Sequence, residues 1–174
     1  WNGGGINRGD LGMGEALHRF GADGADLLGI ADVLGPHLPD TVFYAPDAPQ
    51  ACAASGFGRQ WFPIPRFDGS SEVESAVAMN QAADDLNGFI DITLQAEVVS
   101  ASELVLVGFS QGAMMGLHVA PRRADTIAGL VAISGKLMRP NTLAMEMTVK
   151  PEVLLMHGDR DDVVPFGEMQ AAGN

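Results

Sequence analysis

Several short, uninterrupted apolar runs divide the chain, and stretches of helical spacing lie between them. Leu104-Val105-Leu106-Val107 has no polar position, which predicts a strand buried on both faces of a parallel sheet; Ile127 to Ile133 and Val153 to Met156 read the same way. Thr41-Val42-Phe43-Tyr44 predicts one more short buried strand. Leu27, Leu28, Ile30 and Leu34 form an irregular helical stripe that ends near Gly35-Pro36. Ser71 with Glu74 three residues later has the form of a capping box. Behind it Val73, Val77, Leu86, Phe89, Ile90 and Leu94 supply the buried face of a long helix. A further helix is expected from Ser110 to about Arg123. The order is helix, strand, helix, strand, helix, strand, strand, which predicts an α/β fold: three layers around a mostly parallel central sheet.

Two stretches stand apart from this pattern. Residues 45–69 are rich in Pro and Gly and carry Trp61 and Phe62, so they read as a long, ordered surface excursion. The first sixteen residues hold Gly at positions 3, 4, 5, 9, 12 and 14 and show neither periodicity. They are expected to form neither strand nor helix, so an atypical segment 1–16 precedes a domain 17–174.

Composition narrows the function classes. With 174 residues, 47% of them apolar and 18% charged, the chain is expected to be one globular domain. Acidic residues outnumber basic ones 22 to 10, and a net charge of −12 repels phosphate backbones and anionic lipid. Nucleic-acid binding and stable membrane association are therefore not expected. No run approaches the roughly 20 apolar residues of a spanning helix, and no signal pattern opens the chain. Cys52 stands alone, which leaves no disulfide framework or thiolate metal cage and suits a reducing, cytoplasmic setting.

The chemistry begins at Gly108-Phe109-Ser110-Gln111-Gly112, a G-x-S-x-G motif between a predicted buried strand and a predicted helix. Its glycines permit a sharp turn on which the serine takes a strained backbone and exposes Oγ above the sheet. The helix N-terminus aims backbone N–H groups at the same place, so the Gln111 amide is a candidate oxyanion donor. A serine nucleophile needs a base oriented by a carboxylate. Asp161 lies in the loop His157-Gly158-Asp159-Arg160-Asp161-Asp162-Val163-Val164-Pro165, after the strand 153–156, at the same edge of the sheet as Ser110.

The elbow, Gly21-Ala22-Asp23-Gly24 with Asp26-Leu27-Leu28, Ala45-Pro46-Asp47-Ala48-Pro49, Trp61-Phe62, and His157-Gly158-Asp159 with Val164-Pro165 together resemble the bacterial phospholipase/carboxylesterase family. That family includes the acyl-protein thioesterases. The resemblance covers roughly residues 17–174. It implies an α/β-hydrolase fold, hydrolysis of carboxylic esters and thioesters, Ser110 as nucleophile, Asp161 as orienting acid, and the backbone amides of Phe20 and Gln111 as oxyanion hole. The sequence departs from the family in three places. Arg19 stands where the family has a glycine, putting a side chain beside the implied oxyanion hole. Gly12-Met13-Gly14-Glu15-Ala16 is not expected to supply the family's buried strand before His18. The family's catalytic histidine lies some 35 residues beyond the acid, whereas the sequence runs thirteen positions past Asp161, so a C-terminal strand and helix are also expected to be missing.

Among the histidines present, His118 falls eight residues after Ser110 on one helix, roughly 12 Å away at about 1.5 Å per residue, and reads as a packed helix residue. His37 reads as an exposed turn residue, His18 as structural, and His157 as a strand-end residue bonded to loop backbone. Trp61, Phe62 and Phe109 are candidate walls of an acyl pocket; Met114 is assigned to the core, and Met138, Met145 and Met147 to a flap or to core filling. The resulting expectation is a serine carboxylesterase for small-molecule esters of short to medium acyl chains, favouring neutral over anionic lipids, with no metal or organic cofactor. A lysophospholipase, an acyl-protein thioesterase and an inactive acyl-binding module remain alternatives, and a homodimer stays open.

Overall fold

The apolar run at 104–107 lies at the centre of a five-stranded sheet. The computed structural model describes residues 12–52 and 54–173. Its elements are β1 (Gly12–Leu17), α1 (Gly24–Leu34), β2 (Thr41–Tyr44), β3 (Gln50–Ala51), β4 (Arg59–Gln60), α2 (Pro65–Asp68), α3 (Glu72–Glu97), β5 (Leu104–Phe109), α4 (Gln111–Val119), β6 (Gly129–Ile133), α5 (Pro140–Glu146), β7 (Val153–Met156) and α6 (Phe166–Ala172). The sheet runs β2-β1-β5-β6-β7 and every pairing in it is parallel. Leu104 and Leu106 of β5, Leu130 and Ala132 of β6, and Met13 and Leu17 of β1 join Met79, Leu86 and Ile90 of α3 and Met115 of α4 in one buried core. Helix α1 packs on β1 and β2. No helix among the described residues is long and apolar enough to cross a membrane.

The strand β1 corrects the expectation that residues 12–16 form none. It is paired on both edges, Met13 with Val42 and Leu104, Glu15 with Tyr44 and Leu106. Pairing on both sides overrides weak local propensity. The glycine at 14 has a packing role: a Cβ there would lie 2.9 Å from the Phe43 ring, which fills the space instead. Periodicity failed because Glu15 sits between Met13 and Leu17 on an otherwise apolar face. Residues 1–11 of the expected N-terminal segment lie outside the described residues, and 12–16 belong to the sheet.

Two further expectations shift. Ser71 caps α3 as its spacing predicts, in a reciprocal box with Glu74. Val73 and Val77, however, are 72% and 65% exposed, and the first turns of α3 turn Ser75 and Met79 inward instead. The buried positions from Ser75 through Met79, Leu86 and Ile90 to Thr93 keep one helical face throughout, and Val73 and Val77 lie on the opposite side. Strand β7 is not buried on both faces: it ends the sheet, with Leu154 56% and Met156 48% exposed.

Glu15 is fully buried, and neither carboxylate oxygen has a hydrogen-bond partner among the described residues. Burial pushes its pKa up to about 8, with Arg123 pulling the other way. Arg123 itself is held by Asn87 and Asp91 of α3 at 2.8 and 2.6 Å. Between the unfolded value of 4.5 and about 8, the folded chain holds a proton that the unfolded chain has released. Stability is therefore highest below that window and falls by about 1.4 kcal/mol per pH unit as pH rises through it. Urea unfolding at pH 5 and pH 8 should show a steeper loss in the native chain than in Glu15→Met. Parallel pH slopes for the two proteins would show that Glu15 does not hold that proton.

Candidate active site

The elbow is built by two close approaches that exclude side chains. A Cβ at Gly108 would fall 2.5 Å from the Gly112 carbonyl oxygen, and one at Gly112 would fall 2.0 Å from that of Leu17. Between them Ser110 stands at φ +53°, ψ −112°, outside the regions where a residue with a side chain rests without strain. The surroundings over-determine that conformation: the Ser110 N–H donates to Ile133 O at 2.8 Å, and its carbonyl accepts from Met114 N–H at 3.0 Å in α4. The N–H of Gln111 opens α4, where no intrahelical acceptor exists for it.

The turn after β1 lies beside this elbow. His18 is fully buried; its Nδ1 donates to Arg19 O at 2.8 Å and its Nε2 accepts from Ala48 N–H at 2.9 Å. Those two bonds define a neutral imidazole, and burial holds its pKa below the ordinary histidine value. Trp61 Nε1 donates to His18 O at 3.0 Å. The Gln111 side chain completes the stitch: its Oε1 accepts from Trp61 N–H at 2.8 Å and its Nε2 donates to Phe62 O at 2.7 Å. The excursion from 45 to 69 is thereby fixed to both segments that carry the candidate oxyanion amides. Its own hairpin, β3 against β4, is tied to Gly21 and Ala22 through Arg59 backbone bonds of 2.9 and 2.8 Å.

Asp161 sits in the loop after β7. Its Oδ1 accepts from Val163 and Val164 N–H, both at 2.9 Å, and its Oδ2 lies 3.5 Å from His157 Nε2. Its pKa is held below the usual carboxylate value, chiefly by the Val164 N–H; burial opposes this, and the Val163 N–H, the Ser134 hydroxyl and His157 add to it. Ser134, at φ +50° just past β6, donates its N–H to Met156 O at 2.9 Å.

A cleft of about 660 Å³ gathers most of the site residues expected from sequence: Ser110, Gln111, Asp161, Phe20, Phe62 and Phe109 all line it. Trp61 does not. It is 2% exposed, is not among the residues lining the cleft, and belongs to the core as the anchor just described, which corrects its assignment to the pocket wall. An aromatic ring in a loop signals burial as readily as ligand contact. Met114 belongs to the core and also reaches the cleft, Met138 lines it, and Met145 is exposed on α5. His157 donates to Val164 O at 2.7 Å and is not among the residues lining the cleft. His118 is buried in α4, its pKa pushed down to about 4 by burial first and then by Arg122 and Arg139. The sequence pattern points to neither the Gln111 side chain nor Ser134, whereas Arg19 is expected beside the oxyanion turn. Arg19 lines the cleft with its Nη1 donating to Phe20 O at 3.2 Å, and its φ is not in the left-handed region, so the loop does not depend on a glycine there.

The sequence model of phospholipases and carboxylesterases matches residues 16–174. The chain belongs to that family. It is 32% identical over 165 residues to acyl-protein thioesterase 1 of Saccharomyces cerevisiae, a match covering 87% of this chain and 70% of that protein. It is 29% identical over 141 residues to lysophospholipase-like protein 1 of Mus musculus, covering 76% and 56% respectively. The crystal structure of esterase PE8 superposes with a TM-score of 0.88 at 34% identity, over 95% of this chain and 77% of that one. These matches place the central sheet and its flanking helices in the α/β-hydrolase fold.

Gln111→Ala should unpair two buried backbone groups, the Trp61 N–H and the Phe62 carbonyl, at about 1–3 kcal/mol for each group left unsatisfied. A lower urea midpoint and an altered Trp61 emission are the expected readouts. An unchanged midpoint would mean that the excursion is held by other contacts.

Proposed function

We propose that this cleft hydrolyses carboxylic esters of short to medium acyl chains through an acyl-enzyme on Ser110. The observation that carries the reading is the strained Ser110 backbone at the head of a cleft also lined by Asp161, Phe20 and Gln111. Ser110 Oγ attacks the acyl carbonyl carbon and gives up its proton to a general base. The carbonyl oxygen gains the negative charge, and the Phe20 and Gln111 N–H groups donate to it. Collapse breaks the ester bond, and the leaving alkoxide takes the proton from the base. Water then adds to the acyl carbon by the same route, the carboxylic acid leaves, and Ser110 recovers its proton. Asp161, kept ionised by the amides that bind it, orients the base and stabilises its protonated form.

These steps use no metal or organic cofactor. Phe62 and Phe109 are the apolar walls for the acyl chain. Among the described residues no histidine hydrogen-bonds Ser110, so acylation of this chain is expected to be slow; a positioned base contributes about 10²–10⁴-fold. The lone Cys52 supports a cytoplasmic setting. A second reading, favoured by the names of the yeast and mouse relatives, is thioester or lysophospholipid hydrolysis by the same steps, with a thiolate or a glycerophosphoryl alcohol as leaving group.

Prolonged incubation with an organophosphorus probe should label Ser110 alone, and Ser110→Ala should abolish labelling and esterase activity while leaving the unfolding curve unchanged. Labelling mapped to another serine would remove the basis of the reading. Across p-nitrophenyl esters of increasing acyl length, the rate should peak early; a maximum only at long chains would reject the short-to-medium assignment.

A further inference from the structure

The cations of this acidic chain are not evenly placed. Arg122, Arg123 and Arg139 are each paired with a carboxylate, and Arg59 is bound to the Ala48 and Pro49 carbonyls. Of the described cations without a carboxylate partner, Arg19, Arg66 and Lys136 line the cleft, whereas Lys150 and Arg160 do not. Two of the cleft cations are linked through a pair of aromatic rings. Arg19 bonds the Phe20 carbonyl, the Phe20 ring lies 5.7 Å from the Phe67 ring, and the Arg66 guanidinium sits 4.7 Å above Phe67. Two exposed arginines thus adjoin one aromatic pair at the cleft, Arg66 over the Phe67 ring and Arg19 on the Phe20 carbonyl. The carboxylates lining the cleft are engaged differently. Asp161 is bound by backbone amides, and Glu72 and Glu168 lie in the first turns of α3 and α6.

We propose that Arg19 and Arg66 form an anion site, and that the ester this cleft hydrolyses carries a carboxylate or phosphate group which they bind. A guanidinium fork matches either group in planar, two-bonded fashion, and the Phe20–Phe67 pair offers an apolar bed for the carbon chain beside it. This reverses, for the cleft, the preference that the net charge of −12 suggests for the whole surface. Arg19 follows β1, which neighbours β5 in the sheet, and Arg66 lies in α2; both share the cleft with Ser110, and either half of an ester can face them. An anion on the acyl part and one on the alcohol part are therefore separate cases.

The inference rests on the ester-hydrolase reading, and its test separates the two. Two matched pairs are compared with the native chain by the rate of acyl transfer: p-nitrophenyl hydrogen glutarate against p-nitrophenyl pentanoate, and 2-phosphoethyl butyrate against 2-hydroxyethyl butyrate. At low ionic strength the anionic member of at least one pair should react about tenfold faster, an advantage that shrinks at high salt. In the double variant Arg19→Ala, Arg66→Ala that ratio should fall to about one, while Arg19→Lys, Arg66→Lys keeps part of it. Because the readout is a ratio, a general loss of activity cancels. Ratios at or below one in both pairs would overturn the anion site. If no ester acylates Ser110, the hydrolase reading fails instead. Titration of the Ser110→Ala protein with glutarate and phenyl phosphate then decides alone: saturable binding lost in the double variant supports the site, and no binding overturns it.

Discussion

The start of α4 presses against the carbonyl of Leu17, with no room for a side chain at Gly112, and the rest of the site follows from that contact. It joins the end of β1 to the elbow after β5, so the turn bearing His18, Arg19 and Phe20 must lie alongside Ser110. Once they are side by side, one buried amide side chain can serve both. Gln111 stands in the first turn of α4 and behaves toward Trp61 and Phe62 as a neighbouring strand would, accepting from one backbone group and donating to the other. The neutral His18 ring does the same from the other side, between Arg19 and Ala48. A Pro- and Gly-rich excursion with little regular structure of its own thereby becomes a fixed wall of the cleft.

How much of this was legible depended on whether a residue's role followed from its neighbours in sequence. The strands β5 and β6, the capped start of α3 and the elbow were readable because each is set by a local pattern: unbroken apolar runs, a Ser71–Glu74 box, glycines two positions either side of a serine. Strand β1 was not, because its place depends on pairing with β2 and β5, and its pattern is broken by a buried Glu15 and by a Gly14 that makes way for Phe43. Trp61 was misplaced for a related reason. Its ring is large enough to wall a cleft, and only the acceptor found by its indole N–H, the carbonyl of His18, shows that it faces inward. The Gln111 side chain left no trace in the sequence beyond its membership of the motif, since both its partners lie about fifty positions away.

Charge shows the same division between whole chain and locality. A net charge of −12 describes what approaching molecules meet at long range, where salt screens it within about 10 Å. Inside the cleft the field is set by a few groups, and these include Arg19, Arg66 and Lys136 without carboxylate partners. The long-range field and the local one act at different stages of an encounter, so they need not share a sign. An acidic exterior can keep the chain off anionic surfaces while the cleft accepts a single small anion.

The division of labour between Trp61 and its successor has a bearing on how such a cleft diversifies. Around Trp61 the bonds that hold the excursion in place are made by the backbone N–H of Trp61, the carbonyl of Phe62 and the buried indole N–H. The side chains of Ile64 and Phe67 line the opening and take no part in those bonds, whereas Phe62 lines it and is also packed in the core. Anchorage and lining are thus carried by different atoms of the same few residues. Substitutions at Ile64 and Phe67 can reshape the opening without loosening its frame, so a lineage can explore new substrates from these positions at little cost to the fold, while Phe62 stays tied to the core.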